Sequence, residues 1–233
     1  LGSERLRVEA ITTVGGNVRL EQVTRNALGI LAMAGRADVP VYAGAEGPLL
    51  QTAREVHGSD GLHGLQLPEP KVDPRADAAG FIVEAARSVP GLRLACLGPL
   101  TNLALALRRD PELPRFLGDV VLMGGAFGTF AQSGLGSAGN VSPQAEFNIW
   151  ADSQAATEVV ASDLGLTFIP LDASHQTLMT EPRLDEIGQL PVWGPALRDT
   201  LRAYGQWTRH RTGAPGGPLH DPNVLAYLEA PEL

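Results

Sequence analysis

The chain has 233 residues, 18 basic and 26 acidic, for a formal net charge of −8. With 44% hydrophobic and 19% charged residues it has the composition of a folded globular protein, which excludes a disordered chain. The acidic balance argues against a sequence-independent grip on nucleic acid, which needs a cationic face, and no run approaches the roughly 18–20 apolar residues of a membrane helix. The lone cysteine, Cys96, rules out an intramolecular disulfide and a multi-cysteine zinc site. It points to a reducing, cytoplasmic setting. Within its apolar run it reads as a small buried hydrophobe. The chain opens Leu1-Gly2-Ser3 and ends shortly after a helical stretch. The expectation is one α/β domain over residues 1–233, cut from a longer chain at both ends.

Val8 to Val14 is an apolar, β-rich run that predicts a strand. Glu21 to Ala34 has apolar residues at 23, 27, 28, 30, 31 and 34, the spacing of a helix. Asp38 to Gly44 predicts a short strand closed by glycine. Residues 45–75 are rich in Gly, Pro, Asp and His and predict a long loop, which inside a compact domain is usually functional. Then come a helix (Ala76 to Ser88), a strand (Leu92 to Leu97), a helix (Leu103 to Arg108) and a second buried strand (Val120 to Met123). Ala126 to Ser142 is a glycine-rich loop. Ser153 to Ala161 predicts a helix and Leu166 to Leu171 a strand. Arg183 to Gly188, Ala196 to Arg209 and the stretch from Asp221 predict three more helices. The strands are continuous apolar runs, which implies burial on both faces. The expected fold is therefore α/β, a mostly parallel central sheet with helices on both faces.

In an open parallel sheet, ligands bind beyond the carboxyl ends of the strands. The residues there are Gly15-Gly16-Asn17, His57-Gly58-Ser59-Asp60-Gly61 and Gly98-Pro99-Leu100-Thr101-Asn102. Then come Gly124-Gly125, with Asn140 and Glu146-Phe147-Asn148, and Asp172-Ala173-Ser174-His175. His220-Asp221-Pro222 stands late in the chain. Glycines let backbone approach a ligand, and amides and carboxylates supply hydrogen bonds. Lys and Arg are scarce, so neutral hydroxyls, as on a sugar, fit better than a phosphate. Each residue also has a plain structural reading. Asn17 and Thr101 can cap the helices that follow, and Asp221 before Pro222 is a good helix start. His57, His63 and His220 can be surface histidines. Glu146 and Asn148 point the same way if extended, which a solvated edge would also explain. No G-x-G-x-x-G follows the first strand, nor an acidic residue about twenty positions on. A dinucleotide oxidoreductase is therefore disfavoured.

Taken together, the motifs resemble one family. Thr12 to Val18 with Thr24-Arg25-Asn26-Ala27, His57 to Leu62, Gly98 to Ala104 and Val121 to Gly125 carry the likeness. So do Gly139-Asn140 with Ala145 to Ile149, and His220-Asp221-Pro222. In order and spacing they are similar to the inosine-uridine-preferring nucleoside hydrolases, over essentially the whole chain. The resemblance implies a Rossmann-like α/β fold and a tightly bound calcium ion. It implies hydrolysis of the N-glycosidic bond of a ribonucleoside to ribose and free base, in purine or pyrimidine salvage. By its motifs, Thr101 would give calcium a backbone carbonyl and Asp221 a carboxylate oxygen, the hard ligands calcium takes. Asn17, Asn140, Glu146 and Asn148 would hold the ribose hydroxyls. Met123 would touch the ribose, His57 would flank the base and His220 would protonate it as it leaves.

Tyr204, Trp207, His210 and Arg211 either fold over the base, with aromatic stacking, or belong to a helix core. Phe127, Phe130 and Ser133 either cover the base pocket or form an exposed insertion. His220 leans toward the broad or pyrimidine subgroup. The family also implies a small-molecule nucleoside as partner and a homodimer or homotetramer. Its D-x-D-x-x-x-D-D segment, which supplies most calcium carboxylates and the general base, is not among these 233 residues. The resemblance places that segment before Leu1. A non-catalytic nucleoside- or ribose-binding relative therefore stands beside the hydrolase reading.

Overall fold

A computed structural model describes residues 2–47, 56–128 and 139–232, with Trp207, Arg211 and Thr212 described by their backbone alone. β1 (Ile11–Thr13) precedes α1 (Leu20–Met33), and β2 (Val41–Ala43) precedes α2 (Ala78–Ser88). β3 (Leu92–Cys96), α3 (Thr101–Arg109) and β4 (Leu117–Met123) follow. Next come α4 (Phe147–Ala151), α5 (Ser153–Val160), β5 (Leu166–Ile169) and α6 (Leu171–Ser174). β6 (Leu178–Thr180), α7 (Glu181–Gly188), α8 (Gly194–Thr212), β7 (Gly216–Pro218) and α9 (Pro222–Glu229) complete the order.

The pairing is parallel between β1 and β2, and across β3, β4 and β5 in that order. Side chains alternate along β4. Val120 and Leu122 join the cluster of Ile82, Leu103 and Val159, contributed by α2, α3 and α5. Val121 and Met123 join Leu171 and the α9 residues Val224 and Leu228 on the other face. All four β4 residues are at most 3% exposed. Helices therefore cover both faces, as the unbroken apolar run implies. Cys96 packs against the same core, and burial pushes its thiol up to about 12, which leaves it unreactive.

The structure adds elements that the sequence pattern did not predict, among them α4, α6, β6 and β7. β6 and β7 pair antiparallel, with Leu178 opposite Pro218. The glycines of Gly216-Gly217-Pro218 serve close packing. A Cβ on Gly216 would lie 2.2 Å from the Met179 carbonyl oxygen, and one on Gly217 would lie 2.7 Å from Cα of Gly205 in α8. The first predicted strand is shorter than its apolar run, because only Ile11–Thr13 find partners on β2. Among the described residues no helix is long and apolar enough to cross a membrane. Phe127 is exposed and sets its ring edge-on to Phe168 at 6.1 Å, whereas Phe130 and Ser133 lie outside the described residues.

Candidate active site

One wall of the site is built where β4 ends. Gly125 stands at φ +87°, a conformation open to glycine. Its N–H donates to Oε2 of Glu146 at 3.1 Å. Glu146 is the N-cap of α4, and its carboxylate also accepts from the N–H groups of Asn148 (2.9 Å) and Ile149 (3.1 Å). Asn148 Nδ2 donates to the Met123 carbonyl at 3.0 Å and reaches its sulfur at 3.3 Å. Asn140 Oδ1 accepts from Phe147 N–H at 2.9 Å. Glu146 and Asn148 are 3% and 8% exposed, so they are not a solvated edge. Glu146 is extended but Asn148 is not, because α4 begins between them, and the Asn148 N–H bond ties the pair. Burial pushes the Glu146 carboxyl above its ordinary range, against the backbone N–H groups that pull it down.

The second wall comes from His57 and from residues 174–221. His220 Nδ1 lies 2.7 Å from the hydroxyl of Ser174, and its ring sits 5.5 Å from that of His175. Burial, then the neighbouring His175 and His57, push His220 down to about 3, so the ring is neutral at pH 7. His57 lies parallel to the Tyr204 ring at 5.7 Å. Burial, then His63, push His57 down to about 4. Neither is a surface histidine. Burial and the nearby Asp221 carboxylate push the Tyr204 hydroxyl up.

Asp221 stands at the N-cap of α9 before Pro222, but its carboxylate makes no capping hydrogen bond. Asp221 is exposed, yet neighbouring protein takes away part of its water. That loss of water, then the charge of Glu146, pushes it up to about 7. These mutual effects gather Glu146, Asp221, Tyr204, His57 and His220 around one cleft.

Two predicted residues stand differently. Asn17 is exposed beyond β1, and the N-cap of α1 is Arg19, without a side-chain hydrogen bond, so Asn17 is not that cap. Its loop sits on the loop after β3, because a Cβ on Gly16 would lie 3.2 Å from Pro99. Thr101 is the first residue of α3, after Leu100 at the N-cap, so it is not that cap either, and its hydroxyl donates to Asp152 at 2.6 Å. Ser174 and His175 appeared in the sequence at a strand end without a role. The signal that they belong with His220 is a contact across 46 residues, which only the fold closes.

Among the described residues no group of three or more acidic, His or Cys side chains could hold a metal ion. At the site, Asp221 offers a carboxylate that makes no capping hydrogen bond, one hard-oxygen anchor of the kind calcium takes. Two surface concavities, one beneath the His57 loop beside Arg25 and Glu69 and one around Arg5 and Arg36, contain none of the cleft residues. The site is marked by its chemistry and not by the depth of a pocket.

The inosine-uridine preferring nucleoside hydrolase family matches residues 1–233. The chain belongs to this family. An uncharacterised protein of Schizosaccharomyces pombe is 39% identical over 240 residues, covering 100% of this chain and 75% of that protein. A pyrimidine-specific ribonucleoside hydrolase of Shewanella woodyi is 37% identical over 241 residues, covering 100% and 74%. The solved purine-preferring ribonucleoside hydrolase from Gardnerella vaginalis superposes with a TM-score of 0.89 at 32% identity, covering 100% of this chain and 75% of that one. The nucleoside hydrolase family thus accounts for the parallel sheet and its two helical layers. Its named members include a pyrimidine-specific and a purine-preferring enzyme at similar identity, so overall likeness does not choose a nucleobase.

Proposed function

We propose that the protein hydrolyses the N-glycosidic bond of ribonucleosides to ribose and free base, in a calcium-dependent reaction. The observation that supports this is two unlike walls on one cleft. Glu146, Asn148 and Asn140 present a carboxylate and amides, and His57, Tyr204 and His220 present uncharged rings. A ribose calls for the first set and a nucleobase for the second.

Breaking the bond builds positive charge on the ribose. Glu146, held by three backbone N–H groups, is a preorganised carboxylate beside that charge. Asn17, Asn140 and Asn148 hold the hydroxyls, and Met123 packs against the sugar. His57 and Tyr204 flank the base. His220 is a neutral ring, so it donates a hydrogen bond to the departing base and keeps its own proton. The water that adds to the sugar loses one proton and the base gains one, so nucleoside and water become ribose and base. Asp221, by its carboxylate, and Thr101, by its backbone carbonyl, are the residues of this chain that would hold calcium. The chemistry calcium supplies when bound is to orient a water and make it more acidic. A cytoplasmic homodimer or homotetramer completes the proposal, and sedimentation of the purified protein tests the assembly.

The test is ribose release from inosine, uridine, adenosine and cytidine in the presence of calcium. The expected result is release by the protein and about hundredfold slower release by Glu146→Gln, the scale of one preorganised transition-state contact. Nucleoside binding without ribose release would mark a binding-only relative and overturn the proposal.

A further inference from the structure

Ser174 closes α6 and is fully buried. Its Oγ lies 2.7 Å from His220 Nδ1, and its side chain makes no other hydrogen bond among the described residues. A hydroxyl has one proton to place. Were Nδ1 protonated, it would donate to Oγ and leave the hydroxyl proton buried without an acceptor, a costly state. An unused lone pair is better tolerated than an orphaned donor. The hydroxyl therefore donates to Nδ1, and the single proton of the ring sits on Nε2. That nitrogen has no hydrogen bond to a described residue and is not among the polar atoms sealed from solvent, so it opens to the cleft.

We propose that Ser174 is a positioning residue, whose hydroxyl holds His220 in its Nε2–H tautomer and keeps that donor aimed at the leaving nucleobase. The inference rests on the hydrolase reading above. No proton passes to or from Ser174, and His220 keeps its own. The nucleobase takes the electron pair of the glycosidic bond, and the Nε2–H hydrogen bond stabilises the charge as it develops.

Two measurements test the assignment. Long-range 1H–15N NMR of the imidazole rings reads the tautomer directly, with His220 assigned from the signals lost in His220→Gln. The expected result is Nε2–H in the wild type, a mixture of tautomers in Ser174→Ala, and Nε2–H again in Ser174→Thr. A wild-type ring protonated at Nδ1, or a Ser174→Ala ring unchanged from wild type, overturns the proposal. Steady-state kinetics gives the second readout. Ser174→Ala should lower kcat on a natural ribonucleoside about tenfold, the scale of one hydrogen bond, with KM unchanged. A riboside with a nitrophenol leaving group needs no such help, so its cleavage should stay at the wild-type rate. Equal losses on both ribosides would reveal a merely structural role and overturn the proposal. Cleavage of neither riboside by the wild type would bring down the hydrolase reading, and the aim at a nucleobase with it, while NMR alone would decide the tautomer.

Discussion

His57 carries an imidazole into the protein against the ring of Tyr204, and burial pushes it from 6.5 down to about 4. The unfolded chain takes up this proton near pH 6.5, whereas the folded chain waits until about pH 4. Between those values the unfolded state binds more protons, so the contribution is complete above pH 6.5 and is lost as the pH falls to about 4. His57→Gln removes it. Urea denaturation at a series of pH values should show the wild type losing up to about 3 kcal/mol more than the variant across that window. A pH-independent difference between the two would mean that the ring is open to water. The sequence marked His57 as a loop residue near a strand end. Its neutral state was not legible there, because the ring that buries it comes from α8, far along the chain. The same holds for Glu146, whose motif was readable while its three N–H donors were not.

At the scale of elements, the longer helices and the parallel strands followed from apolar spacing, because each buries a face that its own period defines. β6 and β7 did not, because three residues with two glycines carry no period. They form where α8 presses on them, at the contact of Gly205 with Gly217. Gly217→Ala would place a methyl 2.7 Å from the Gly205 Cα and should destabilise the protein by about 1–3 kcal/mol, as overpacking does. Gly165→Ala, where a Cβ meets nothing within 4 Å, is the comparison that should stay close to wild type. Thermal denaturation of both variants checks this, and equal melting temperatures would refute the close contact. Because Tyr204 precedes Gly205, and His220 follows β7 by two residues, the same contact sets Tyr204 and His220 in the ring wall.

For the molecule as a whole, the sheet brings Glu146 from after β4 and Asp221 from before α9 close enough for one carboxylate to perturb the other. Neither is paired with a cation among the described residues, a charge deficit that a divalent ion relieves. Calcium at about a hundred times its dissociation constant should therefore stabilise the folded protein by roughly 3 kcal/mol, and Asp221→Asn should remove most of that gain. Thermal scans with added calcium and with a chelator measure it. A calcium response undiminished in Asp221→Asn would refute the assignment of this carboxylate.

The sequence by itself determined the fold class and the membership of the site's motifs. Apolar runs specify which residues must leave water, and Asn140, Glu146, Asn148, His220 and Asp221 stood together in recognisable order. Its motifs also named Thr101 and Asp221 for a metal, without naming the partners of their side chains. Direction, protonation state and long-range partners were decided by tertiary structure alone. The Thr101 hydroxyl turned to Asp152, the Ser174 hydroxyl to His220, and the ring of His57 to Tyr204. Those outcomes depend on which groups share a small volume without water, and that is a property of the folded chain and not of any segment of it.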